Sequence, residues 1–233
     1  MEIPTKFETK IMARLLNRLG ADQGISTCLT LSDGQITNEC HHGHTLTSII
    51  KKIARKRKGS KAFKQASDHR TNYINWSVKQ LNLGGVSEVN YEKIRNLGSG
   101  QRKSRFLQGF SYREIKTAMA KHCFLTGVHF KEQDNVYRSQ RCSHCGYVHK
   151  LNRKGKVFKC RHCGEAIDAD LNAAKNHADV LWVLPFDLRI KKLNLVGFFW
   201  KINGIYDLDG VDFADRLNIE SPSDVCDVWN TQI

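Results

Sequence analysis

Four cysteines fall in two pairs of one design, Cys142-Ser-His-Cys145 and Cys160-Arg-His-Cys163, with fourteen residues between them. Two residues between thiolates let both sulfurs reach one ion at about 2.3 Å, and two such pairs complete a tetrahedron. One structural Zn²⁺ is expected, with no open position for catalysis. Gly146 and Gly164 each follow the second cysteine of a pair, where the chain turns tightly. The second pair runs almost directly into DADLNAA, residues 168–174, in which Asp168 and Asp170 open a predicted helix. Capping accounts for one of these acids. Glu92 lies at the end of the strand-like GGVSEVNYEKI and Asp22 at the end of LLNRLGAD. If those strands are neighbours, three carboxylates from distant parts of the sequence meet, and such a cluster repels itself unless cations fill it. Two Mg²⁺ or Mn²⁺ ions about 3.5–4 Å apart would neutralise it, and that arrangement suits phosphodiester cleavage.

The elements that must position these groups can be read in outline. GISTCLTLSDGQITNE, residues 24–39, predicts a hairpin turning at Asp33-Gly34. The preceding LLNRLGA fits a strand, although Ile11, Leu15 and Leu19 also share one helical face. Residues 45–83 read as helix, either continuous or broken near Gly59-Ser60. Ser111 and Glu114 have the spacing of a capping box before a helix striped by Tyr112, Ile115, Ala118, Met119 and Cys123. VHFKEQ, from residue 128, predicts another strand. This order of elements points to an α/β core.

The chain has 233 residues and a net charge of +14. Residues 1–179 carry +17 and residues 180–233 carry −3, so the basic surface belongs to the first three quarters. Lys51, Lys52, Arg55, Lys56, Arg57, Lys58, Lys61 and Lys64 fall within fourteen residues, with no acid before Asp68. A solvated helix usually mixes signs, so this run is read as a grip on a nucleic-acid backbone. There is no apolar run of membrane length and no signal-peptide pattern at the N-terminus, which predicts a soluble, cytoplasmic protein with no membrane partner. Cys28, Cys40, Cys123 and Cys226 are widely spaced and read as ordinary thiols. His41, His42 and His44 are a weak second metal candidate.

Taken together, LGADQGISTCLTLSDG, VNYEKIRNL, the two cysteine knuckles and DADLNAAKN resemble the motifs of the RuvC-like nucleases of the OrfB/TnpB insertion-sequence proteins, which are related to type V CRISPR effectors. The resemblance covers about residues 18–180 and implies an RNase H-like α/β fold with a helical basic insertion and an inserted four-cysteine zinc ribbon. It implies Asp22, Glu92 and Asp170 as catalytic acids, with Asp168 as their neighbour, and Mg²⁺-dependent cleavage of DNA. The matching division is core at 1–44, basic insertion at 45–83, core at 84–138, ribbon at 139–166, last catalytic helix at 167–184 and an extension at 185–233. Guide-holding members carry a long half before the first motif, whereas about twenty residues precede Asp22 here. The reading is therefore a stand-alone endonuclease selecting branched or four-way-junction DNA, encoded by a prokaryote or phage and nucleoid-associated, with a homodimer giving paired cuts. The alternatives are an RNA-guided or transposon-associated nuclease that needs RNA or a partner chain, and a regulator that binds nucleic acid without cutting it.

Overall fold

A computed structural model describes residues 17–24, 26–94, 111–184 and 193–212. Ile11, Leu15, Cys226 and the acidic stretch after residue 212 lie outside the described residues. Residues Arg18–Gln23 form a strand, β1, which settles the strand-or-helix ambiguity of the first motif. It pairs antiparallel with β2 (Leu29–Leu31) and parallel with β4 (Glu88–Lys93). With β3 (Ile36–Thr37) beyond β2 and β5 (His129–Asp134) beyond β4, the sheet runs β3-β2-β1-β4-β5. This antiparallel meander continuing into parallel strands is the expected RNase H-like α/β fold. The β2–β3 turn falls at Asp33-Gly34, where Gly34 has φ +96° and Asp33 Oδ1 accepts from the Gln35 N–H.

Alternation along the strands gives the sheet two faces. Leu19, Ala21, Leu29, Leu31, Val89 and Tyr91 join one hydrophobic core with Leu46, Ile49, Ile50 and Ile53 of helix α1 (Leu46–Ala54). Tyr73, Ile74 and Val78 of α2 (Lys61–Lys79) and Ile115, Met119 and Cys123 of α3 (Tyr112–Leu125) complete that core. The basic segment is thus two helices that wall the core. It breaks at Gly59 (φ +83°), and Thr45 and Ser60 cap the two N-termini. The expected capping box of α3 does not form. Ser111 makes no side-chain cap, and Glu114 instead accepts from Arg70 Nε at 3.1 Å and from the Thr71 hydroxyl. A charge-assisted tertiary contact to α2 has displaced the local one.

The other face is covered by α4 (Ala169–Ala178), which crosses β1 at Gly20. A Cβ at Gly20 would sit 1.9 Å from the Ala174 carbonyl oxygen and 2.4 Å from the Ala178 nitrogen, both backbone atoms. Gly20→Ala is therefore expected to cost about 3 kcal/mol or more, since the helix must lift off the strand. Chemical denaturation of the zinc-loaded protein measures this, and a loss under about 1 kcal/mol would contradict the close β1–α4 approach.

Between β5 and α4 the chain forms the cysteine module, with β6 (Tyr147–Val148), β7 (Arg153–Lys154), β8 (Val157–Lys159) and β9 (Ala166–Asp168). Strands β7, β8 and β9 make a small antiparallel sheet whose last strand leads directly into α4. Part of the C-terminal extension packs here. β10 (Phe198–Lys201) pairs with β6 and with β11 (Gly204–Tyr206), and Phe198, Trp200 and Ile205 share a core with Val148 and Leu184.

Candidate active site

The four predicted zinc ligands converge. Their sulfurs all lie within 4.8 Å of one another, with Cys142–Cys163 at 3.8 Å and Cys145–Cys160 at 3.7 Å. A tetrahedron with Zn–S bonds of about 2.3 Å has edges of about 3.8 Å, so the group fits one zinc ion, and the separations are far too long for disulfides. Burial pushes the Cys142 thiol up to about 11 and raises Cys145 further, so metal binding at these two would displace protons they otherwise keep.

The residues joining this knuckle to α4 were not singled out from the sequence. Asn172 and Asn176, one helical turn apart and fully buried, face the first cysteine pair. Asn172 Nδ2 donates to the Arg141 carbonyl at 2.8 Å and its Oδ1 accepts from the Ser143 N–H at 3.0 Å. Asn176 Nδ2 lies 2.7 Å from the Arg141 carbonyl and 2.9 Å from that of Arg138. The only sequence signal was the pair of amides at helical spacing in DLNAAKN, which reads equally well as a solvated face.

The carboxylates come from β1, β4 and α4. One step further along the β1–β4 register places Asp22 beside Glu92, both on the face that α4 covers. Asp22 is 7% exposed, and its carboxyl is held well above the usual range by burial first, then by Glu92 and Asp170. Burial also raises Glu92, against a hydrogen bond from Asn135 Nδ2 at 3.2 Å, and Asp170 raises it further. Asp170, 4% exposed, accepts from Thr27 Oγ1 at 3.0 Å and from Arg153 at 3.0 Å, and it also pairs with Lys156 Nζ. These two cations belong to the β7–β8 hairpin of the cysteine module, and the basic-run reading missed them. Asp168 serves as the cap. It is exposed, and its Oδ1 accepts from the backbone N–H of Asp170 at 2.9 Å and of Leu171 at 3.1 Å.

A fourth group was also missed. His177, two turns after Asp170 on α4, is 1% exposed, and a ring nitrogen lies within 4.8 Å of the carboxylate oxygens of Asp22 and Glu92. Donor atoms around one divalent ion with bonds of about 2.1 Å lie about 3 Å apart when adjacent and about 4.2 Å when opposite, so this group fits such an ion. His41, His42 and His44 form no such group among the described residues.

The basic run lies elsewhere. Lys51, Lys52, Arg55, Arg57, Lys58, Lys61 and Lys64 are exposed and Lys56 is half-buried, all on α1, α2 or the turn that joins them, and these helices pack against the face opposite α4. The carboxylates and this patch are therefore on different layers of the sheet.

Comparison with known proteins agrees with the motifs. Residues 112–177, which include α3, β5, the cysteine module and most of α4, match the family model of the Cas12f1-like TNB domain. Over 150 residues the chain is 33% identical to the CRISPR-associated endodeoxyribonuclease Cas12f1 of Sulfoacidibacillus thermotolerans, covering 64% of this chain and 34% of that protein. It is 26% identical over 170 residues to Cas12f1 of Syntrophomonas palmitatica, covering 60% and 34%. The chain thus spans about a third of the length of the curated relatives it matches. Among solved structures it is similar to Cas12f1 in an sgRNA–target DNA complex, with TM-score 0.49, 21% identity, and 77% of this chain and 51% of that one covered. No helix among the described residues is long and apolar enough to cross a membrane. With its four-cysteine knuckle leading into an Asp-headed helix over an RNase H-like sheet, the chain is similar to the TnpB/Cas12f-type RuvC-like nucleases, and its residues 112–177 match the Cas12f1-like TNB domain.

Proposed function

We propose that this chain is the RuvC-like cutting part of an RNA-guided, metal-dependent DNA endonuclease. The observation that carries the reading is the meeting of buried Asp22 with half-buried Glu92, with Asp170 close enough to perturb both. A buried set of like charges is costly without a cation, so the cluster is built to hold one or more divalent ions. Mg²⁺ or Mn²⁺ held by Asp22, Glu92 and Asp170 would supply an activated water and charge stabilisation for a leaving 3′ oxygen. The chain's own contribution is positioning. Asn135 orients Glu92, Thr27 orients Asp170, and the buried sheet face limits water around Asp22. Arg153 and Lys156 are placed to exchange Asp170 for a phosphate of the substrate.

The relatives are named CRISPR-associated endodeoxyribonucleases, which favours the guided reading, and nothing among them supports the stand-alone, junction-selective one. The test is cleavage of duplex, branched and single-stranded DNA in Mg²⁺, Mn²⁺ or EDTA, with and without RNA that copurifies with the chain. Metal-dependent cutting that requires the RNA and is absent from Asp170→Ala supports the proposal. RNA-independent cutting of branched DNA would restore the stand-alone reading, and cutting that persists in EDTA or in the variant would remove the metal assignment.

The basic patch makes a separate contribution by neutralising phosphates. Changing Lys51, Lys52, Arg55 and Arg57 to Ala is expected to weaken duplex binding regardless of sequence. It should also flatten the plot of log affinity against log salt by about 0.9 for each phosphate that is no longer neutralised. An unchanged slope would make the patch a solvated face.

A further inference from the structure

We infer that His177 is a nitrogen ligand at one of the two metal positions. Together with Asp22 and Glu92 it would make an N,O site that prefers a first-row transition ion such as Mn²⁺ over Mg²⁺. The inference rests on the metal-dependent reading of the carboxylates but adds a donor and an ion preference that this reading does not contain.

Two observations lead to it. The ring contributes an atom to the same 4.8 Å group as the Asp22 and Glu92 oxygens. The side chain is 1% exposed, yet its Nδ1 has no hydrogen-bond partner among the described residues. A buried, unpaired imidazole nitrogen is costly in a packed core, and an ion beside it would remove the cost. Mg²⁺ is a hard ion that favours oxygen donors and keeps its waters, whereas imidazole nitrogen adds more to the binding of first-row divalent ions. Helical spacing explains how one element serves two ends of the site. Asp170 lies at the first turn of α4 and His177 two turns further on, so both face the sheet.

The test uses the full, zinc-loaded chain freed of other divalent ions and titrated with Mn²⁺, read by electron paramagnetic resonance. The wild type is expected to bind Mn²⁺ with a ¹⁴N hyperfine coupling that becomes a ¹⁵N coupling on labelling with ¹⁵N-histidine. The coupling should vanish in Asp22→Asn, which removes the ion from this site. In His177→Asn, Mn²⁺ binding should weaken at least about tenfold with loss of the coupling, while Mg²⁺ binding changes much less. The wild-type spectrum decides even if His177→Asn does not fold. Mn²⁺ bound at an Asp22-dependent site without nitrogen coupling would overturn the role of His177 and leave the carboxylate site intact. Mn²⁺ binding indifferent to Asp22→Asn would overturn both.

Discussion

Asp22→Asn is expected to abolish metal-dependent DNA cleavage and, at neutral pH, to make the chain more stable when no catalytic ion is present. Burial first, then the charges of Glu92 and Asp170, hold the Asp22 acid well above the ordinary 3.8. Loss of residues that merely orient a ligand already costs about 10–100-fold, so loss of the shared ligand should exceed about a hundredfold. The stability effect has a definite sign. A carboxyl that holds its proton more tightly folded than unfolded stabilises fully below the unfolded value of 3.8, and that contribution is lost as pH rises towards the folded value. The amide never ionises. The gap between variant and wild type should thus open above about pH 3.8, growing by up to about 1.4 kcal/mol per pH unit until the raised value is passed. Urea denaturation of zinc-loaded, Mg²⁺-free protein from pH 4 to 8 measures it, and added Mn²⁺ should close the gap by stabilising the wild type alone. A variant less stable than wild type at pH 7.5 without metal would contradict the buried-repulsion account.

Cys160→Ser should remove the zinc and disable the site without altering any carboxylate. Zinc binding contributes about 10–16 kcal/mol in small structural sites, more than a module with this little core can replace. The module also carries three groups that the site uses. Arg153 and Lys156 reach Asp170, and Asp168, the last residue of β9, caps the helix on which Asp170 and His177 lie. The expected outcome is near-zero zinc by mass spectrometry of the native protein and rapid proteolysis within residues 141–168. Cleavage should fall at least about tenfold, while the sheet core remains folded. Wild-type zinc content or undiminished cleavage would contradict this coupling.

The convergence of the four cysteines was legible because two C-x2-C pairs have the spacing of knuckles around one ion, and the hairpin because Asp33-Gly34 needs a left-handed residue. The Asp22–Glu92 pairing was legible as far as strand ends can show it. Which strands are neighbours is a fact of long-range pairing, and that came from the β1–β4 register. Asp168 and Asp170 could not be separated by spacing, since either can cap a helix; only the bonds from Asp168 Oδ1 assign the cap. His177, Asn172 and Asn176 stayed hidden for a related reason. Helical periodicity groups residues on one face but does not say whether that face meets solvent, a sheet or a metal cluster. The basic run was conspicuous in composition, yet it coats the layer opposite the carboxylates, and the two cations that reach Asp170 are inconspicuous members of a short hairpin.

The central claim, that β1, β4 and α4 bring carboxylates together around divalent ions, is tested most directly by anomalous diffraction from crystals of this chain grown with Mn²⁺. The expected result is Mn²⁺ peaks bounded by Asp22, Glu92 and Asp170 and a separate zinc peak among the four cysteines, with Lys156 displaced from Asp170. Strong zinc density with no Mn²⁺ peak at the carboxylates, and Lys156 still seated on Asp170, would contradict it.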